Sequence, residues 1–209
     1  MVDFGRKLVS SRYEPWIAFY LDYERLKSLL YGRSPEVPPP FPESMLNEES
    51  NNSFIFVHIL NVEIEKILLF YLQEQGKVAN RLANCRRDHL RLLPTPSQSS
   101  VLNRADIATL ESNYNSIAVD LLHLIQYVDV NITGIRKILK KHDKNSQEKL
   151  SPVYFGGHQQ ASRMLHPLIS EYDDSLSGLV QILDSSFREL RAWKDQAPSN
   201  SLKRHFSSP

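Results

Sequence analysis

The sequence predicts an all-α fold: an N-terminal helical hairpin packed on two long antiparallel helices, forming a three-helix-bundle core, with further helices toward the C-terminus. Three observations carry this reading. From Ser53 to Leu93 there is no proline and a single glycine, Gly76, a run far beyond the ~11–12 residues of an average helix. Within it Leu60, Ile64, Ile67, Tyr71, Val78 and Leu82 keep an approximate heptad stripe, with a lapse at Glu74. From Leu102 to Asp129, Ile107, Leu110, Tyr114, Ile117, Leu121, Leu124 and Val128 alternate steps of three and four, the pattern of a coiled-coil seam. Two such helices joined by the short polar break at Pro94–Ser97 form a long antiparallel hairpin. No β-strand is needed anywhere.

The remaining elements follow in order. Phe4 to Tyr13 suits a short helix, interrupted at Glu14-Pro15, where Pro15 fits the first turn of the next helix. In that second helix Trp16, Phe19, Tyr20, Tyr23, Leu26, Lys27 and Leu30 share one face, and Gly32 is positioned as a C-terminal cap. Tyr23 and Lys27, four apart, can point their polar ends to one place. Read alone, they are a core aromatic with a wet hydroxyl and a snorkelling lysine. Arg33 to Asn52, with PEVPPPFPES, is a surface loop. Asp129 to Thr133 is expected to turn into a separate helix, capped by Thr133 or Asn131; the glycosylation-type triplet Asn131-Ile132-Thr133 is set aside as chance. After Lys144 the segment NSQEKLSP leaves the core, and Tyr154 to His158 has no clear period. Ser170 to Trp193 reads as a helix with Leu176, Leu179, Val180, Leu183, Phe187, Leu190 and Trp193 on one face. The tail, residues 197–209, is expected to be disordered, leaving 1–196 as one domain.

Composition narrows the function classes. The 209 residues are 41% hydrophobic and 23% charged, so a sizeable core is available. Lys+Arg number 25 against 24 Asp+Glu, a formal charge of +1. Any basic site therefore comes from local patterning, which argues against nucleic acid as a partner. One cysteine, Cys85, excludes an intramolecular disulfide and suits a reducing compartment; it is read as a packing residue. The seven histidines show no metal-ligand spacing. No phosphate-cradling glycine loop, no nucleophile elbow and no Cys/His pair presents itself, so neither a catalytic residue nor a cofactor is expected, and the chain reads as a non-enzyme. The charged N-terminus is no signal peptide and no apolar run reaches the ~18–20 residues of a membrane span, which together predict a cytoplasmic chain.

One stretch has a chemical signature, Asn131–Lys144, NITGIRKILKKHDK. In a helix Lys137, Lys140, Lys141 and Lys144 share a stripe roughly 100° wide, with Ile135, Ile138 and Leu139 opposite. Each like-charge neighbour at i, i+3 or i, i+4 costs about 0.2–0.5 kcal/mol, and a purely structural helix would intersperse acids. Only Asp143 is present here. The bland alternative is a solvated face of cations favoured near a helix C-terminus.

Several stretches together resemble an SPX domain. Phe4-Gly5-Arg6-Lys7 resembles the family's opening, Tyr20-Leu21-Asp22-Tyr23-Glu24-Arg25-Leu26-Lys27 resembles its Tyr-x-x-Leu-Lys segment, and Asn131 to Lys144 resembles its most recognisable motif nearly throughout. The likeness covers residues 1–144 well and the remainder loosely. It implies a cytosolic sensor of inositol polyphosphates and pyrophosphates in phosphate homeostasis. Carried over by position, Tyr23, Lys27 and Lys141 would form a phosphate-binding cluster. Lys137, Lys140 and Lys144 would form the adjoining lysine surface, with Arg6 and Lys7 as auxiliaries. The family often has lysine immediately before Phe-Gly, whereas Asp3 stands here and cannot assist phosphate binding. Met1-Val2, Ile64 to Phe70 with Gln75-Gly76, and Tyr127 to Asn131 look most like SPX domains fused to major-facilitator phosphate transporters of vacuolar membranes. That implies an attached membrane transporter domain and a place on the cytosolic face of the vacuole. Two alternatives stay open: a stand-alone adaptor that captures a coiled-coil partner when ligand is present, and the SPX domain of a polyphosphate polymerase or phosphate exporter.

Overall fold

In the computed structural model, which describes residues 4–31, 49–92, 104–156, 165, 168 and 175–196, seven helical elements follow one another. They are α1 (Phe4–Ser10), a 3-10 helix (Glu14–Phe19), α2 (Tyr23–Leu30), α3 (Glu49–Arg91), α4 (Arg104–Asn145), α5 (Ser151–Phe155) and α6 (Ser177–Gln196). The described residues contain no strand. Leu60, Ile64, Ile67, Tyr71, Val78 and Leu82 of α3 and Ile107 through Val128 of the α4 seam are all buried, as their spacing predicts. Cross-bonds fix the direction of the pair. Ser53 meets Glu148, Ile67 meets Tyr127, Arg81 meets Ser116 and His89 meets Tyr114, so α3 and α4 run antiparallel. Cys85 is buried in the same core, and burial pushes its thiol pKa up, which suits a packing residue better than a thiolate.

The sequence expectation fails at four boundaries. The helix expected from Pro15 to Leu30 is two elements, because the chain is extended at Tyr20 and Asp22 caps α2 by accepting the Arg25 N–H at 3.0 Å. Glu49 to Asn52, read as loop, already belong to α3. The turn expected at Asp129–Thr133 does not exist: α4 continues unbroken for 42 residues, and neither Asn131 nor Thr133 is a cap. Tyr154, placed in a segment without period, lies in α5, buried, donating its hydroxyl to Asn61 Oδ1 at 2.6 Å. Leu176, just before α6, and Leu183 and Leu190 within it are buried, but Val180 is exposed. Gly32, the break at Pro94–Ser97 and the tail 197–209 lie outside the described residues.

The break between the 3-10 helix and α2 positions the site. Its backbone groups leave the helical ladder and need partners. The long helices supply them. Lys66 Nζ donates to the Tyr20 carbonyl at 2.9 Å, Asn131 Oδ1 accepts the Leu21 N–H at 2.8 Å, and Glu63 accepts the Asp22 N–H at 2.9 Å. Arg12 donates to the Leu21 carbonyl at 2.8 Å and Tyr127 Oη donates to the Phe19 carbonyl at 2.9 Å. Buried Glu63 is itself paired with Lys66 at 2.7 Å. Around this clamp Trp16, Phe19, Tyr20, Phe70 and Tyr127 pack ring on ring. Gly134 lets the junction approach α4: a Cβ there would meet a Leu21 methyl at 2.9 Å and a Leu8 methyl at 3.5 Å. The consequence is that α2 lies against both long helices, beside the lysine-rich end of α4.

Candidate functional site

The last turns of α4 separate buried from cationic residues as the spacing predicts. Ile135, Ile138 and Leu139 are fully buried, His142 is buried and stacked on Phe56 with ring centres 4.9 Å apart, and Lys137, Lys140 and Lys144 are exposed. Lys141, half-buried, lies at the edge of the stripe nearest α2. The acid among these lysines turns elsewhere. Asp143 accepts the backbone N–H groups of Leu150 at 2.7 Å and Ser151 at 3.2 Å, capping the start of α5 from a distance. Burial alone would raise the pKa of its carboxyl; the Ser151 and Leu150 hydrogen bonds outweigh it and hold that pKa below the usual value. Lys149 donates to the carbonyls of Asp143 and Ser146 and so closes the C-terminus of α4. Asp143 is thus committed to the start of α5.

From the α2 side come Tyr23, buried, and Lys27, half-buried. Lys141 Nζ lies 5.9 Å from the Tyr23 ring centre, so two of the residues predicted for the cluster meet across the α2–α4 contact. Lys27 Nζ is held by Glu24 at 2.9 Å, a surface pair of the kind worth about 0–1 kcal/mol. Tyr31, which the sequence reading overlooked, brings a second ring to within 5.7 Å of Lys141 Nζ. It stands four residues after Lys27, as Tyr23 stands four before, and that spacing was the available signal. Arg6 is exposed on α1 and lines a shallow cavity of about 370 Å³ with Gly5, Val9, Ser10 and Glu24. Lys7 belongs to α1; its side chain, like Asp3, lies outside the described residues.

These groups are point cations at or near the surface, with the Tyr23 and Tyr31 rings beneath Lys141. Lysine ammoniums offer three donors each and no fixed fork, which fits a ligand rich in phosphate oxygens and poor in shape. Among the described residues no group of three or more His, Cys, Asp or Glu could hold a metal ion.

No family model matches the chain. Its relatives do carry a family name. It is 32% identical over 169 residues to an SPX domain-containing membrane protein of Oryza sativa subsp. japonica, an alignment covering 80% of this chain and 22% of the rice protein. It is 35% identical over 156 residues to an SPX domain-containing membrane protein of Arabidopsis thaliana, covering 74% of this chain and 20% of that protein. The fold agrees. The SPX domain of Chaetomium thermophilum glycerophosphodiester phosphodiesterase 1, solved in complex with inositol hexakisphosphate, superimposes with a TM-score of 0.62 at 19% identity, covering 93% of this chain and 100% of that one. The chain belongs to the SPX family. It spans about a fifth of the length of the membrane proteins it matches. No described helix of this SPX chain is long and apolar enough to cross a membrane.

Proposed function

We propose that this SPX chain is a sensor for inositol polyphosphates and pyrophosphates, bound where α2 meets the lysine-rich end of α4. Tyr23, Lys27 and Lys141 form the central cluster, Lys137, Lys140 and Lys144 form the adjoining surface, and Arg6 and Lys7 assist from α1. The observation that carries the reading is the disposition of charge. The sole acid of Asn131–Lys144 is committed to the α5 cap, while Lys141 is brought over Tyr23 without a carboxylate partner among the described residues. The SPX domain that superimposes on this chain was solved with inositol hexakisphosphate, which supports the same ligand class. Glu24 competes with the ligand for Lys27, but a surface pair this weak is displaced at small cost.

Bound polyphosphate joins α1 and α2 to the end of α4 and so shifts the chain toward an ordered N-terminal hairpin. The membrane-protein names of the relatives support an attached membrane domain; we extend this, on the sequence likeness alone, to a regulatory domain of a phosphate transporter at the cytosolic face of the vacuole. Isothermal titration with inositol hexakisphosphate tests the site. Each charge-assisted contact is worth about 1.5–3 kcal/mol, so Lys141→Ala, or Tyr23→Phe with Lys27→Ala, should weaken binding at least tenfold with helicity retained. Unchanged affinity in both variants would rule out the assignment. Affinity should also fall steeply as salt rises.

A further inference from the structure

The geometry points to Tyr31 as a positioning residue for Lys141, the outer wall of an aromatic bracket that holds this ammonium in place without neutralising it. The inference rests on the polyphosphate reading and names a residue that the motif likeness does not include. Residues i and i+8 of a helix stand about 12 Å apart along the axis and about 80° apart around it, close enough to border one broad face. Tyr23 and Tyr31 are such a pair at the start and the C-cap of α2, and Lys141 Nζ reaches between them, 5.9 Å from one ring centre and 5.7 Å from the other. Lys27 is the i+4 residue midway between the two tyrosines in sequence. The two ammoniums are restrained differently: a carboxylate holds Lys27 and two ring faces hold Lys141.

The distinction matters for an anion. A carboxylate must be displaced before phosphate can take its place, whereas ring faces cover one side of an ammonium and leave its remaining N–H donors for an incoming oxygen. The core does not account for Tyr31. Its side chain is 53% exposed, against 4% for Tyr23, while its N–H is fixed by the Ser28 carbonyl at 3.2 Å. The backbone at the C-cap is therefore held, and the ring stands 5.7 Å from Lys141 Nζ.

An exposed cation–π contact corresponds to about two- to five-fold in an equilibrium constant. In the 209-residue chain, Tyr31→Leu should weaken inositol hexakisphosphate binding by about that factor, with the melting temperature unchanged, and Tyr31→Phe should bind as the wild type does. In a Lys141→Ala background, Tyr31→Leu should cost nothing further. A ligand-free readout separates this inference from the function it rests on. The Lys141 side-chain protons next to Nζ should show a ring-current shift that Tyr31→Leu reduces and Tyr31→Phe keeps. Loss of affinity in Tyr31→Phe equal to that in Tyr31→Leu would overturn it, because the hydroxyl and not the ring would then be at work. So would wild-type affinity in Tyr31→Leu, or a Lys141 shift indifferent to Tyr31. Failure of the wild type to bind, with the ring-current pattern intact, would instead overturn the ligand reading.

Discussion

Asn131 is where local sequence rules and the folded molecule part company. Its neighbours Thr133 and Gly134 read as a helix start, and a side-chain amide at such a place normally caps. Instead Asn131 is 1% exposed in mid-helix, donating to the Tyr127 carbonyl at 2.8 Å and accepting the Leu21 N–H at 2.8 Å. The second partner is 110 residues away, so no local pattern reveals it. Asn131→Leu keeps the volume but leaves the Leu21 N–H buried and unpaired, at about 1–3 kcal/mol. Chemical denaturation should show that loss, with Tyr23 and Lys27 less firmly held against α4. Asp143 is a second residue whose role is hidden from its neighbours. The hydrogen bonds that depress its pKa make its ionised form stabilising, so its contribution is full above the unfolded carboxylate value, about 3.9, and fades as pH falls through the folded value. The stability gap between wild type and Asp143→Asn should be full at neutral pH and narrow progressively once pH falls below about 4. Denaturation midpoints measured at pH 7 and pH 3 check this.

At the scale of elements, long periodicity was legible and interruptions were not. The stripes of α3 and α4 are buried position for position because a coiled-coil seam is a local property repeated over many turns. The lysine stripe was legible for the same reason, and Lys137, Lys140 and Lys144 are exposed opposite buried Ile135, Ile138 and Leu139. The break inside Pro15–Leu30 was not legible. The aromatic spacing runs straight through it, and what opens the helix is tertiary: Lys66, Glu63, Asn131 and Arg12 satisfy the backbone that the ladder gives up. The same clamp decides where α2 lies, and hence that Tyr23 and Tyr31 flank Lys141. Gly134 belongs to this account. Helix propensity disfavours glycine in the interior by about 1 kcal/mol, and its place is explained by the Leu21 and Leu8 methyls that fill the space a Cβ would need.

At the scale of the whole molecule, the antiparallel pair α3–α4 is a rigid strut with unlike ends. One end carries α1, α2, α5 and the lysines; the other carries α6, held by Arg86 to Glu189 and Ser186 and by Lys194 to Glu111. A polyanion at the first end should order the short α1 and the clamped α2 against α4, leaving the α6 end as it was. Amide hydrogen exchange of the intact chain, with and without saturating inositol hexakisphosphate at physiological salt, tests this most directly. Exchange should slow across Phe4–Ser10, Tyr23–Leu30 and the last turns of α4, and stay the same in Ser177–Gln196. Unchanged exchange in α1, α2 and the lysine turns, or protection confined to α6 and the C-terminal half of α3, would contradict it.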